Sequence, residues 1–504
     1  MFIFIELKNK KPPLIPMEKH ILSKSTFIKG HQCLKSLYLH KKRPFLRDKL
    51  SAEQLAKFKR GHKVGDMAQQ LFPGGIDVSP KSPSQYQKSA ILTQELIASG
   101  QEIIYEATFQ FNKVLVMLDI LVKTEKGWAA YEVKSSLKLS ETYFTDAAVQ
   151  YYVITNSGLK LDSFFLVYVD ENYIQAADKE IDVQAYFIKQ EVKEELLEKQ
   201  TQIAKEIEEE LAILTEKHSP KVEVGAHCFE PYTCDFIGFC WKNKSRDLFK
   251  IPALNYQERT SMLNKGVFEL NEIKNQINDN TLALKQLDCL AANTNFITDN
   301  LKEKLASFPE DVLFLAFVNR KPAVPDCEGS KPYQTQLFSY ALLQNNESKS
   351  AIYSGVCDDY KAFIKSFSKS LNSTARIIVY DRKELEEAFD SIISFFPEFE
   401  NETAEILRKT TGIKQWILKG DFYFVGLKYD LLLKEVAAKT LNNKPFSKPS
   451  IGSDILAINA YEIVLEKKGN FSDADEKAIL EYMEISADYV KQIIIVLMEL
   501  NQIQ

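Results

Sequence analysis

Two acidic residues and a lysine interrupt apolar segments of the sequence where a buried hairpin is expected. Residues 113–136 read KVLVMLDILVKTEKGWAAYEVKSS, with Asp119 near the end of the first apolar stretch and Glu132 near the end of the second. Lys134 follows Glu132 by two residues and so shares its strand face. A turn centred on TEKG, where Gly127 can take positive φ, sets Asp119 opposite Glu132. The spacing therefore predicts that two carboxylates and an ammonium group converge.

This combination of groups suits phosphodiester hydrolysis. Two carboxylates a few ångströms apart repel unless they are protonated or bridged by a cation. Oxygen ligands favour Mg²⁺ or Mn²⁺, which lowers the pKa of bound water and polarises a phosphate. A lysine beside the metal offsets charge on the scissile phosphate. Glu-x-Lys alone is a weak signal, because it recurs at Glu191 and Glu272 in polar helical surroundings where solvated ion pairs are expected.

Further candidates come from the flanking helices. The segment SETYFTDAAVQYYVITNSG predicts a helix that carries Asp146 and Gln150 on one face, four residues apart. Gln150 suits a donor to substrate or to metal-bound water, whereas Asp146 fits a polar helix face equally well. His62, in FKRGHKVGDMA, could complete a metal site of two carboxylates and an imidazole, although a lone helical histidine is usually structural. Glu106 is interpreted as a surface carboxylate or one behind the metal ligands.

Four cysteines form a second pattern. Cys228, Cys234 and Cys240 are spaced by five residues each within HCFEPYTCDFIGFCW, and Cys33 supplies a distant fourth thiol. Four thiolates suit zinc or a [4Fe–4S] cluster. The lack of a Cys-x₂-Cys pair and the crowding aromatics favour iron–sulfur, while His227 keeps a zinc site open. A cluster would join both ends of the domain that contains the hairpin.

Length and composition bound the class of protein. A chain of 504 residues is too long for one core, so two or three domains are expected. Its 45% hydrophobic and 26% charged residues are ordinary for a soluble globular protein. No apolar run approaches the roughly 20 residues of a membrane span, and MFIFIEL has the wrong charge order for a signal peptide. We therefore expect a cytoplasmic protein in which Cys289, Cys327 and Cys357 are ordinary thiols.

Charge is unevenly distributed. The net charge of −5 argues against nucleic-acid binding by the whole chain, yet residues 1–60 hold 15 Lys or Arg and 4 Asp or Glu. This excess suits a phosphate-tracking surface or a solvated helical face, and charge alone favours the second.

Hydrophobic periodicity predicts an α/β (α+β) fold. Strands are expected at 102–110, 113–121 and 128–134, and a charge-rich helical region at 179–217. The predicted organisation is a disordered or mis-assigned extension over 1–16, a nuclease domain with the four cysteines over 17–245, a helical connector over 246–305 and a second α/β domain over 306–504.

The motifs D…EVKSS…DAAVQYY and GHKVG, with the one-plus-three cysteines, resemble the RecB/AddB-type branch of PD-(D/E)XK nucleases. The iron–sulfur nucleases of CRISPR spacer acquisition belong to the same branch. From about Leu22 to the end, the chain resembles a bacterial family that joins such a nuclease to a C-terminal DnaQ-like exonuclease domain of RNase H fold.

The resemblance implies a restriction-endonuclease-like core with helical flanks, a helical connector and an RNase H-like domain. It further implies Mg²⁺ or Mn²⁺ ligands at His62, Asp119 and Glu132, a catalytic Lys134, and Gln150 in the following motif. The implied [4Fe–4S] ligands, with zinc as the lesser alternative, are Cys33, Cys228, Cys234 and Cys240.

The C-terminal domain departs from the pattern of that family. It keeps PAVP, KPYQ and FSY, but the expected Asp-Phe-Glu strand reads LAFVN over 315–319, and the last helix lacks its Asp at 482–487. Without those acids two-metal hydrolysis has no cation clamp. We therefore expect residues 306–504 to form a degenerate exonuclease domain, retained for DNA or protein binding.

Two functions follow as expectations. The first is a metal-dependent DNA nuclease, an exonuclease by resemblance, that acts through the N-terminal domain. No membrane association is expected. The alternative is a non-catalytic nucleic-acid-binding or scaffold protein in DNA repair or defence. The intact set of Asp119, Glu132 and Lys134 favours the first.

Overall fold

The chain divides into two compact units. The computed structural model describes residues 19–50, 52–177, 180–372, 376–441, 450–466 and 472–502, so the predicted extension over 1–16 lies outside the described residues. The first unit comprises Met1–Arg47, Gly61–Asp170 and Asp182–Val222, and the second comprises Asp48–Arg60, Glu171–Ile181 and Glu223–Gln504. Segment 223–245, with three of the four motif cysteines, thus groups with the second unit, whereas the sequence-based division attached it to the nuclease domain.

The first unit is built around a mixed sheet in the strand order β2-β3-β4-β5-β6-β7, with β1 added beside β4. Strands β3, β4 and β5 are antiparallel neighbours, and β6 runs parallel to β5. In chain order the elements are β1 (Leu22–Ser23), α1 (Lys24–Gln32), α2 (Leu34–Lys42), α3 (Ala52–Ala68, of which the part from Gly61 onward belongs to this unit), β2 (Ile76–Asp77), α4 (Tyr86–Ser99), β3 (Ile103–Phe111), β4 (Val114–Lys123), β5 (Trp128–Lys134), α5 (Glu141–Asn156), β6 (Leu161–Val169), α6 (Val183–Tyr186), β7 (Phe187–Glu191) and α7 (Lys193–Ile213).

The β4–β5 hairpin forms in the predicted register. Ile120 pairs with Tyr131, and the Thr124 amide donates to the Gly127 carbonyl at 2.9 Å to close the turn. Gly127, however, does not take positive φ. It is needed for a close approach instead, because a Cβ there would lie 2.8 Å from the Lys160 carbonyl oxygen.

Helix α5 fixes the sheet from one side. It packs on β3, β4 and β6, and α7 packs on α5. The core between them is apolar and includes Leu118, Leu121, Ala147 and Val153. The helical region expected over 179–217 contains α7 but is wrong at β7, whose last three residues are polar and exposed. An edge strand with charged side chains carries little hydrophobic periodicity, which explains the miss.

The second unit holds a five-stranded mixed sheet in the order β11-β10-β9-β12-β13, in which only β10 runs against the others, and a two-stranded β8–β14 pair. Its elements are α8 (Ile237–Cys240), α9 (Tyr256–Asn264), α10 (Leu270–Lys274), α11 (Thr281–Ala292), β8 (Phe296–Ile297), α12 (Asp299–Ala306), β9 (Val312–Arg320), β10 (Gln336–Gln344), β11 (Glu347–Ile352), α13 (Cys357–Asn372), β12 (Arg376–Val379), α14 (Arg382–Phe395), α15 (Glu400–Lys409), β13 (Thr410–Gly412), α16 (Ile413–Lys419), β14 (Phe422–Tyr423), α17 (Leu433–Thr440), α18 (Asp454–Glu466) and α19 (Asp473–Gln502).

Both faces of the second sheet are covered. Ile377 and Val379 face one apolar cluster and Ile378 faces another, as the two-residue period of a strand requires. Helix α19 packs along β9, β10 and β11. The two units together confirm the predicted mixed α/β class. Within the described residues, no helix combines the length and apolarity needed to cross a membrane.

Two of the cysteines expected to be ordinary thiols are bonded to each other. Cys327 and Cys357 form a disulfide with a Cα–Cα distance of 5.5 Å, so that expectation is wrong. Cys327 lies in the loop after β9 and Cys357 is the first residue of α13. They are 30 residues apart, and nothing in the sequence around either one indicates the pairing.

Candidate active site

Three carboxylates lie in one row across adjacent strands of the first unit. The register places Glu106 of β3 opposite Asp119 of β4, because the neighbouring pairs on β3 and β4 bracket that position. Asp119 lies one step beyond the last β4–β5 pair, opposite Glu132 of β5. Neighbouring strands are about 4.8 Å apart, so the side chains are within mutual electrostatic reach. We call Glu106, Asp119 and Glu132 the acid row.

The backbone is irregular where the acid row crosses it. Glu106 has a φ of 54°, in the left-handed region that non-glycine residues rarely adopt in a strand. The Asp119 carboxylate accepts a 2.6 Å hydrogen bond from the Val133 amide, in place of a regular strand contact. Such a conformation costs on the order of 1 kcal/mol and often marks a functional position. Glu106 therefore lies in the row itself, and not at the periphery of the site as the sequence analysis expected.

Two lysines face the acid row. The Lys134 ammonium lies 2.8 Å from Glu132 Oε1 and also contacts Asp146. The Lys24 ammonium lies 2.6 Å from the same Glu132 oxygen and 3.3 Å from Asp146 Oδ2. The sequence analysis did not identify Lys24 as a site residue. We call Lys24 and Lys134 the cation pair.

Local structure explains how Lys24 arrives there. Strand β1 pairs in parallel with Val114 and Leu115, which brings the chain alongside β4. Ser23 then begins α1 with a capping box, in which Ser23 and Thr26 exchange side-chain and backbone hydrogen bonds. Lys24 is the first residue of that helix, so its position is set by a strand and a cap together.

Gln150 of α5 holds the second oxygen of Glu132. Its Nε2 donates to Glu132 Oε2 at 2.7 Å and to the Met117 carbonyl at 3.3 Å. Gln150 is fully buried, and its Oε1 has no hydrogen-bond partner in the described part of the chain. Asp146, one turn earlier, joins the site through the cation pair. The predicted face of α5 therefore contributes two side chains.

Electrostatics separates the acids. Burial would raise the pKa of Glu132, but the ammonium groups of Lys134 and Lys24 outweigh it and hold that pKa well below its usual range. Burial and the nearby Glu132 charge raise the pKa of Asp119 well above its ordinary value. Burial and Glu132 likewise raise the pKa of Glu106 to about 7. The site thus pairs one firmly ionised acid with two that resist ionisation.

The cation pair shows the reverse effect. Burial lowers the pKa of both lysines, but the carboxylates of Asp146 and Glu132 more than compensate, so both pKa values lie above the ordinary one. Lys24 and Lys134 therefore remain charged at neutral pH. Lys134 keeps 12% of its side chain exposed, so the site is reachable from solvent.

The donor chemistry of the site fits a divalent metal. The acid row and Asp146 carry four carboxyl groups against the two charges of the cation pair, and Mg²⁺ or Mn²⁺ bound through oxygen ligands would supply the positive charge that lets Asp119 and Glu106 ionise. Among the described residues, however, no group of three or more His, Cys, Asp or Glu side chains is placed to hold a metal ion. Both oxygens of Glu132 are already engaged by the cation pair and Gln150. Metal binding at Glu132 would require one lysine to give way.

His62 lies on α3 with an exposed side chain. In the described structure it makes no contact with Glu132 or Asp119 that joins it to their network. Asp66, one turn later on the same helix, is close enough to raise the pKa of Glu106. Since residues four apart share a helix face, His62 lies on the side of α3 that carries Asp66. Its role as a metal ligand stays a prediction.

None of the four motif cysteines forms a disulfide in the described structure. Cys33 separates α1 from α2 in the first unit, while Cys228, Cys234 and Cys240 belong to the second. Cys228 is buried, and its carbonyl accepts from the Cys234 amide at 2.9 Å. The described structure does not gather three of these thiols into a metal-binding group. The [4Fe–4S] cluster, and zinc as its alternative, therefore stay predictions.

The second unit also brings carboxylates together near strand ends. Asp381 follows β12, and its charge and that of Asp454 both act on Glu384. Burial and those two charges raise the pKa of Glu384 to about 7. Asn319 of β9, in the strand that lacks the expected acids, donates to the Glu384 carbonyl at 3.2 Å. Sequence reasoning found no carboxylate there, because Asp454 begins α18, far along the chain from Asp381 and Glu384 at the start of α14.

Comparison with known proteins bears on the second unit alone. A family described as Domain of unknown function (DUF2779) matches residues 313–428, from β9 to just beyond β14. No curated protein matches the chain. The function of the acid row is therefore argued from its geometry.

Proposed function

We propose that the first unit is a Mg²⁺- or Mn²⁺-dependent nuclease that hydrolyses phosphodiester bonds, with DNA as the expected substrate. The observation that carries the proposal is the acid row, which lies across three adjacent strands and faces the cation pair in a solvent-reachable site. Of the nuclease residues that the sequence motifs single out, Asp119, Glu132, Lys134 and Gln150 meet there, whereas His62 is not joined to them in the described structure. A purely structural ion pair needs neither the third carboxylate nor the strained backbone at Glu106.

Each residue has a separate role in this proposal. Asp119 and Glu132 would hold the metal, with Glu106 beside them. Once bound, the metal would activate water and polarise the phosphate. Lys134 offsets the charge that develops on the scissile phosphate. Gln150 fixes the orientation of Glu132 and has a free acceptor for a water molecule or substrate hydroxyl.

The proposal gives Lys24 a role absent from the motif. Its ammonium lies 2.6 Å from Glu132 Oε1, where it neutralises the site in the absence of a divalent ion. Metal binding would release it toward substrate phosphates. Lys24→Gln should therefore raise the affinity of the site for Mn²⁺ and lower its affinity for the DNA strand.

The second unit enters the proposal as a degenerate exonuclease domain. Its mixed five-stranded sheet is compatible with an RNase H-like fold, and β9 carries LAFVN where the resembling proteins carry acids. We propose that it binds DNA or a protein partner. The cysteines are proposed as ligands of a [4Fe–4S] cluster on the strength of their spacing.

A second candidate is a non-catalytic nucleic-acid-binding or scaffold protein. The observation that favours it is that the protein's own lysines already neutralise Glu132, with both carboxylate oxygens engaged. A site closed in this way can be a stable buried network without any metal.

Cleavage of end-labelled DNA separates the two candidates. The full-length protein, purified without oxygen, is incubated with single- and double-stranded DNA in Mn²⁺, beside Lys134→Ala. The matched control is Lys126→Ala, at the exposed turn of the same hairpin. We expect cleavage by the wild type and the control and none by Lys134→Ala, with circular dichroism unchanged. Equal cleavage by all three would exclude this site, and binding without cleavage would favour the scaffold.

A further inference from the structure

A cavity of about 460 Å³ lies wholly within the second unit. Two segments distant in sequence form most of it, one before α9 and one after β14, and Leu290 of α11 completes the lining. They are joined by a 2.9 Å hydrogen bond from the Tyr429 amide to the Phe249 carbonyl and a 2.8 Å bond from the Tyr423 hydroxyl to the Lys250 carbonyl. Cavities of this size typically hold a small organic ligand.

Aromatic rings form one side of the cavity. Phe229, Trp241, Phe249 and Tyr429 line it, and each neighbouring pair of rings has centroids between 5.2 and 5.9 Å apart. The Arg259 guanidinium lies 4.2 Å from the Tyr429 ring centroid and holds that ring from outside. A continuous aromatic wall offers stacking partners to a planar ligand.

One ring carries an unused hydrogen-bond donor. Trp241 is 1% exposed, and its indole N–H has no acceptor among the described residues. A buried donor left without a partner costs about 1–3 kcal/mol. An acceptor atom of a ligand in the cavity would remove that cost.

The charged side chains that line the cavity are all basic. They are Arg246, Lys250, Lys428 and Lys439. Lys250 pairs with Asp247 and Lys428 with Glu435. In the part of the chain that the structure describes, Arg246 and Lys439 have no ion-pair partner. Two cations are thus available to an anion at the cavity.

Gly426 lets Lys439 lie against the wall. Its φ is 82°, and a Cβ at that position would lie 3.1 Å from the Lys439 ammonium. The backbone there is open to close approach, as is common at ligand sites.

We infer that this cavity binds a nucleotide, with its base against the aromatic wall and its phosphate at Arg246 and Lys439. The inference combines a planar-ligand surface, a vacant buried donor and two uncompensated cations in one cavity. A base offers acceptor atoms to the Trp241 N–H, and a phosphate suits Arg and Lys. The nucleotide can be free or can be the 5′ end of a single strand, since both present the same chemistry. The inference does not depend on nuclease activity in the first unit.

Calorimetric titration of the full-length protein tests the inference. The probes are 5′-AMP, adenosine, inorganic phosphate and a short 5′-phosphorylated single strand of DNA. Arg246→Gln and Lys439→Gln are each compared with Lys434→Gln, an exposed lysine on the same helix as Lys439 that does not line the cavity. Lys439 is itself exposed, so its variant is expected to fold even if the Arg246 variant does not.

Binding of 5′-AMP that weakens about tenfold in each cavity variant, and not in Lys434→Gln, would support the site. Adenosine and phosphate should each bind more weakly than 5′-AMP. Tighter binding of the strand than of 5′-AMP would identify a strand end as the ligand, and equal binding would identify a free nucleotide. Absence of saturable binding by 5′-AMP and strand up to about 10 mM, or an equal loss in Lys434→Gln, would overturn the inference.

Discussion

Asp119 lies in the central sheet of the first unit and Asp381 follows a strand of the sheet in the second; each is near a lysine, yet their surroundings differ. Asp381 is the N-cap of α14: it accepts from the Lys383 amide at 3.0 Å, from Gln415 Nε2 at 2.7 Å and from the Lys414 ammonium at 2.7 Å. Burial alone would raise its pKa, but the Lys414 and Gln415 hydrogen bonds hold it below the ordinary value. Asp119 receives one backbone hydrogen bond and faces other carboxylates, which leaves its pKa high.

The difference separates an acid that the fold itself satisfies from one that the proposed nuclease would use. The charge of Asp381 is satisfied by its own helix and by a neighbouring lysine, so the residue stabilises the fold where it stands. Asp119 is destabilised by its carboxylate neighbours and would be relieved by an added cation. Acids held in mutual repulsion are more often kept for chemistry than for stability.

The largest predicted effect is on catalysis. Asp119→Asn should reduce DNA cleavage in Mn²⁺ by about a thousandfold or more, since it removes a proposed metal ligand. Asp381→Asn should leave cleavage within about twofold of the wild type. Initial rates on end-labelled DNA measure both. Similar losses in the two variants would show that the comparison does not distinguish function from structure.

The next largest predicted effect is the loss of stability when the disulfide is broken, and it is confined to the second unit. Closing a loop of 30 residues stabilises a domain by about 3–4 kcal/mol in the chain-entropy model. Reduction, or replacement of Cys327 and Cys357 by serine, should therefore lower the melting temperature of the second unit and leave that of the first unchanged. Calorimetry with and without reductant measures the two transitions. An unchanged thermogram would show that the bond does not contribute.

The sequence predicted the hairpin well because its information is local. Alternating apolar residues and the TEKG turn determine the register that sets Asp119 opposite Glu132. Lys24 could not be found in this way, because it meets Glu132 across 108 residues and no periodicity connects a helix start to a distant strand. The position of Glu106 in the acid row was missed because no sequence pattern indicates a left-handed backbone at a glutamate within a strand.

The same limit applies to the second unit. The absence of the acids from β9 is visible in LAFVN alone, whereas the approach of Asp454 to Glu384 depends on how α18 lies relative to α14. The aromatic wall of the cavity likewise joins segments about 180 residues apart. Long-range packing of this kind decides sites that sequence spacing cannot describe.

A third acid tests whether a raised pKa alone marks function. Glu210 of α7 is 1% exposed, and neither carboxylate oxygen has a hydrogen-bond partner among the described residues. Burial, followed by the Glu206 charge, raises its pKa to about 9. It packs against Gly30, where a Cβ would lie 2.3 Å from the carboxyl group, and no lysine of the described residues is close enough to lower its pKa.

Glu210 should therefore affect stability and not cleavage. Because the folded state holds this proton more tightly than the unfolded chain, the stability is full below the ordinary pKa of 4.5 and is lost as pH rises towards about 9. Glu210→Gln should raise the free energy of unfolding by about 1–3 kcal/mol at pH 8 and by almost nothing at pH 4. Denaturant titration at both pH values measures this. A gain that did not vary with pH would contradict it.

The smallest predicted effect is on the free energy of unfolding, and it has opposite signs at Asp119 and Asp381. Asp119→Asn keeps an acceptor for the Val133 amide and removes repulsion from Glu132, so it should raise the free energy of unfolding by about 1 kcal/mol. Asp381→Asn keeps the helix cap but loses the Lys414 ion pair, so it should lower that free energy by about 1 kcal/mol. Denaturation midpoints of the two variants and the wild type, measured without metal, test both signs. If Asp119→Asn were the destabilising variant, Asp119 would be a structural acid like Asp381, and a loss of cleavage in that variant would no longer identify a metal ligand.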